Sequence, residues 1–196
     1  MKTNSDRCGN RPPLETAAPY AIACAGSGGT LNSSWAIQPI FDSTLTQAAT
    51  SITTSGTVTL DGNTHGGYEF ELWIYNPTLG TVSYSMYFNN DTTAGNYTTY
   101  AIVGGATNPA SGVSASDAVI SAQTTLITRA IKGSIMFSPG GQISAEMRIL
   151  AMNLNNVIIR GLHKNATVTN LTRVDVVSDA ASGIGINSRF RLWRMK

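Results

Sequence analysis

The sequence predicts an all-β protein, an antiparallel β-sandwich or jelly roll preceded by an extended N-terminal arm. Three observations carry this. Thr, Ser, Asn, Gly and Val are abundant while the strong helix formers Lys, Glu and Leu are scarce. Short runs alternate apolar and polar residues with period two. Turn signals such as Gly104-Gly105, Asn108-Pro109, Ser138-Pro139-Gly140-Gly141 and Ser182-Gly183 separate the runs at short intervals.

Residues 1–47 read as the arm. Pro12, Pro13, Pro19 and Pro39 interrupt helices, and Gly26-Ser27-Gly28-Gly29 is flexible. Trp35 and Phe41 need something to bury them: the chain's own domain, a neighbouring subunit or a larger partner. On this division, deleting residues 1–45 leaves the sandwich folded. Cys8 and Cys24 match no zinc spacing and either pair across a short loop or stay free; without a sign of export, free thiols are the expectation.

Residues 48–196 read as the sandwich. Ile52–Leu60 is the first strand, and Asp61-Gly62-Asn63 with Gly66-Gly67 marks a turn. In Tyr68–Tyr75, Tyr68, Phe70, Leu72 and Ile74 share one face, and Glu69 and Glu71 begin the other. Asn76–Gly80 makes a hairpin-type connection into Thr81–Phe88, where Val82, Tyr84, Met86 and Phe88 share a side. Further strands are expected over Asn96–Val103, Ala118–Thr124, Ile131–Phe137, Ile143–Met152, Asn155–Arg160, Ala166–Val177 and Gly185–Trp193. Segment 113–130, rich in Ala and polar residues, is open to a short helix as well.

The charges are sorted along the chain. No Lys or Arg occurs between Arg11 and Arg129, a stretch of 117 residues with seven acids, whereas ten bases and three acids follow from Arg129 on. Such segregation fits surfaces made to meet other surfaces, unless folding interleaves the segments. In the last strand Arg189 and Arg191 take one face and Phe190 and Leu192 the other, as in an edge strand whose arginines meet acids of the same or a neighbouring subunit.

No motif points to catalysis. His65 and His163 have no nucleophile at a telling spacing, and no G-x-S-x-G elbow or P-loop is present. Glu69 and Glu71 could serve a glycosidase or hold a cation, but an exposed strand face explains them more simply. Asn89–Thr93 offers oxygen ligands, yet such side chains more often fold back onto turn backbone. Five N-x-[S/T] sequons carry no glycosylation argument in a chain this rich in Asn, Ser and Thr. No signal peptide or transmembrane helix is expected, and no cofactor, metal, nucleic acid or membrane partner.

The run Gly67–Leu72, then Asn76, Tyr87–Thr93 and Asn96-Tyr97, with the closing Gly185–Arg194, resembles small β-sandwich virion proteins of tailed bacteriophages. Those carry a strand of this look, an FN-x-DTT-x-x-NY turn and a final arginine-aromatic strand. The resemblance spans roughly residues 60–100 and 183–196 and implies a non-enzymatic virion protein assembled in the host cytoplasm. It implies a homotrimer that decorates or cements the head on the major capsid protein or another virion protein. The alternative is a tail-fibre or receptor-binding module touching glycans through 89–96 or 108–117. The expected interface residues are Arg7, Arg11, Trp35, Phe41, Glu69, Glu71, Arg189, Arg191 and Arg194.

Overall fold

The computed structural model describes residues 38–104, 110–115, 117–124, 126–151 and 157–195. Among them it is a β-sandwich of two antiparallel sheets. The strands are β1 (Phe41–Thr44), β2 (Ser51–Thr53), β3 (Gly67–Tyr75), β4 (Val82–Phe88), β5 (Tyr97–Gly104) and β6 (Ala110–Ala115), then β7 (Val119–Gln123), β8 (Thr128–Phe137), β9 (Ile143–Ala151), β10 (Val157–Lys164), β11 (Val174–Ser178) and β12 (Arg189–Arg194). A one-turn helix, α1 (Gly62–His65), precedes β3.

The larger sheet runs β1-β12-β3-β8-β9-β10-β5-β6 and the smaller β2-β11-β4-β7. The pairing is nested: β1 with β12 and β2 with β11 from the two ends of the chain, then β3 with β8 and β4 with β7 inside them. That folded-over order is a jelly roll. The hairpins β5–β6 and β9–β10 extend the larger sheet beyond β8.

Alternation builds the core. Tyr68, Phe70, Leu72 and Ile74 of β3 face Val82, Tyr84, Met86 and Phe88 of β4 across the sandwich, and all are buried. Ile131, Ile135, Met147, Ile149, Phe190 and Leu192 complete the layer from the larger sheet. Buried hydroxyls find partners: Tyr84 Oη donates to Gly183 O at 2.8 Å, and Phe88 N–H donates to Tyr97 Oη at 3.0 Å.

Several boundaries differ from the sequence expectation. The boundary at residue 47 falls inside this unit, because β1 is an edge strand of the larger sheet and Ile40 N–H donates to Leu192 O at 2.8 Å. Residues 1–37, with Arg7, Arg11, Trp35, Cys8 and Cys24, lie outside the described residues. The strand expected over Ile52–Leu60 is only β2; at Gly56, φ +77°, the chain turns away from the ladder. The strand expected over Ala166–Val177 begins at Val174. Before it, single bonds tie the chain to other loops, such as Val168 N–H to Gly141 O at 2.8 Å. β12 starts at Arg189 because Asn187 sits at φ +66° in a turn. β12 is not an edge strand: β1 lies outside it. Segment 113–130 contributes β-strands rather than a helix.

Candidate functional site

The outward face of the eight-stranded sheet has no second layer among the described residues, and four of the predicted interface positions, Glu69, Glu71, Arg189 and Arg191, lie on it. Register carries one row of outward residues across seven strands: Asp42, Arg191, Glu71, Lys132, Arg148, Ile159 and Ile102. The row is charged from β1 to β9 and uncharged on β10 and β5.

The charged half is a network. Arg189 Nε donates to Asp42 Oδ1 at 2.7 Å and Nη2 to Oδ2 at 2.5 Å, a two-pronged contact between β12 and β1. Arg191 lies 3.4 Å from Asp42 and 3.9 Å from Glu71, and Lys132 is 3.5 Å from Glu71. Trp73 Nε1 donates to Glu71 Oε1 at 2.6 Å. The bond from Trp73, and then the charges of Lys132 and Arg191, hold the Glu71 carboxyl below its usual range. Asp42 is lowered chiefly by the hydrogen bond from Arg189. Folding thus sets the acidic middle of the chain between basic C-terminal strands, and the charge sorting cancels in space here.

Among the described residues, hollows open on this half. One, of about 700 Å³, is lined by Trp73, Tyr75, Ile186, Asn187, Arg189 and Arg191 among others. Another, of about 360 Å³, lies over β3, β8 and β9 between Glu69, Lys132, Glu146 and Arg148.

The other half is apolar. Tyr100, Ile102 and Leu150 are each more than two-fifths exposed and Val113 is 77% exposed, all on the outward side of β9, β5 and β6. The Tyr100 ring lies across Gly161, its cross-strand partner, where a Cβ would collide with it. Large apolar side chains gathered on one sheet face mark a contact surface more often than scattered ones do.

Among the predicted interface residues, the structure brings Glu71, Arg189 and Arg191 together; Glu69 shares their face two residues along β3, and Arg194 ends β12. Phe41 is a correction. It is 2% exposed and packs edge-on against Phe190, with ring centroids 5.5 Å apart, so the chain itself covers it. Sequence reasoning passed over Trp73, Tyr75, Lys132, Tyr100, Ile102, Val113 and Leu150. Strand parity was the available signal, since each stands on the outward register of its strand.

The polar loop after β4 is committed to the fold. Asn89, at φ +55°, accepts from the backbone N–H groups of Thr172 and Arg173 and donates to Asn170 O at 2.7 Å. Asp91 binds Lys164, accepts from Asn96 Nδ2 at 2.9 Å and from Thr93 N–H at 3.1 Å, and its pKa falls to about 2, chiefly through Lys164. Lys164 is 2% exposed and sits 4.8 Å from the Tyr97 ring centroid. His65 Nδ1 lies 2.9 Å from Tyr68 Oη, which accepts the Asp61 N–H at 2.7 Å beside the helix cap.

Among the described residues, no three His, Cys, Asp or Glu side chains group to hold a metal ion, and no helix is long and apolar enough to cross a membrane. The sequence matches no known protein-family model and no curated protein.

Proposed function

We propose that this chain is a non-enzymatic structural protein of a bacteriophage virion, a decoration or cement protein that works by contact. Its copies associate as a trimer and dock on the major capsid protein. The observation that carries the reading is the uncovered outward face of β9, β10, β5 and β6, with Tyr100, Ile102, Leu150 and Val113 exposed on it. A sheet buries its apolar faces against other layers, and this half has none among the described residues. The jelly roll supports the reading by analogy alone, since capsid proteins use that fold among many others. The sequence resemblance points the same way. Glu71 suits this role better than acid catalysis, because its neighbours hold the carboxyl ionised.

Light scattering on the purified chain, with a binding assay to undecorated heads, tests the proposal. The expected result is a trimer that coats heads, and loss of coating in Ile102→Glu with an unchanged melting transition. A monomer at every concentration, or full coating by Ile102→Glu, removes the reading.

A further inference from the structure

The groove over β3 and β12 has a composition that the docking reading does not use. Trp73 and Tyr75 are successive outward residues of β3, and both line the groove. Ile186, half exposed, Asn187, Arg189 and Arg191 line the rest. Both rings are held. Trp73 is fixed through its Nε1 bond to Glu71. Tyr75 lies against Gly185, where a Cβ would strike the ring, and Gly185 N–H donates to Tyr75 O at 2.8 Å. The turn carrying Asn187 is tied to β1's end by its own N–H, which donates to Leu45 O at 2.9 Å. A preformed groove loses little ordering entropy when it binds.

The charge balance decides the ligand class. Aromatic rings beside arginines suit single-stranded nucleic acid when the arginines are free to meet phosphates. Here Arg189 is paired with Asp42, and Arg191 lies against both Asp42 and Glu71, so the two arginines that line the groove are already engaged with carboxylates. What remains is a lining of two aromatic side chains and Ile186 beside the polar groups of Asn187, Ser188 and the arginines. A pyranose ring has the matching pattern: C–H groups on its face to lie on an indole or phenol ring, and hydroxyls around its edge that both donate and accept.

We infer that the groove between Trp73, Tyr75, Ile186 and Arg189 is a binding site for a neutral oligosaccharide. It binds without cleaving, and it stands whether or not the apolar half docks on a capsid; Trp73 lies two strand spacings of about 4.8 Å each from Leu150 of that half, with Ala130 between them.

The test is a titration of the full chain with a panel of neutral oligosaccharides (gluco-, manno-, galacto- and N-acetylglucosamine oligomers) and with oligothymidylate, read by saturation-transfer NMR and calorimetry. At least one neutral sugar is expected to bind, with affinity little changed by salt. Trp73→Leu, which keeps apolar bulk but not the flat ring, is expected to weaken it about tenfold or more. Trp73→Phe is expected to restore part of the loss. Three results overturn the inference: no sugar in the panel binds; a sugar binds equally well to a folded Trp73→Leu variant; or oligothymidylate binds in preference, with a steep salt dependence.

Discussion

Phe41 and Phe190 meet edge to face, 5.5 Å apart, and this contact sews the first described strand to the last. Next to it on the outward side, Asp42 and Arg189 make the two-pronged ion pair. The two contacts join the same strands by different physics. Phe41→Ala removes a ring that is 2% exposed and is expected to cost about 3–4 kcal/mol of unfolding free energy. Asp42→Ala breaks a solvent-reached pair, so its effect should be much smaller and should shrink as salt is added. Urea denaturation of both variants at low and high ionic strength measures the difference, and equal losses would contradict this ranking.

Truncation provides a second check. A chain lacking residues 1–45 loses all of β1, including the cover over Phe190, whereas one lacking 1–37 keeps every described strand. The longer deletion is expected to melt well below the shorter. The gap should match Phe41→Ala in size or exceed it, as differential scanning calorimetry on the two proteins would show.

Asp91 gives a pH dependence. Its folded pKa, about 2, lies below the ordinary Asp value of about 3.9. The stabilisation is therefore complete above the ordinary value and is lost as pH falls through it toward the folded one. Its size is about 2 kcal/mol. Asp91→Asn should flatten the acid limb of the stability curve in that window and leave the rest of the curve parallel. Lys164→Met should destabilise at neutral pH, because Asp91 then keeps its charge without its main partner. An unaltered acid limb in Asp91→Asn would assign the limb to other carboxylates.

Gly161 is kept free of a side chain by Tyr100. Gly161→Ala must push the ring off β10 and is expected to cost about 1–3 kcal/mol. In the Tyr100→Ala background the same substitution should cost far less, since nothing then occupies the space. A double-mutant cycle that shows simple additivity would mean the ring does not rest there.

The sequence by itself determined the class of fold and most of its strands. β3, β4 and β9 are long, and their inward rows are apolar at every second position, so local pattern and burial agree on those rows. It also placed Glu71, Arg189 and Arg191 on outward positions, because parity follows from pleat alone. It did not reveal β1, a four-residue strand after Pro39 that exists only because β12 offers it a ladder. Nor did it show that Gly56 and Asn187, in left-handed turns, cut their neighbouring strands short.

Tertiary structure decided the rest. The nested pairing set the acidic β3 between the basic β8 and β12, which turned a sorted sequence into interleaved ion pairs. The same pairing put Trp73, Tyr75 and Ile186 on one groove, and Leu150, Ile102 and Val113, from three strands, on one uncovered face. A linear pattern reports which side of its own strand a residue takes. Which strands lie next to it is settled by long-range ladders and core packing, between residues from tens of positions apart, as for Ile102 and Ile159, to 151 apart for Phe41 and Leu192.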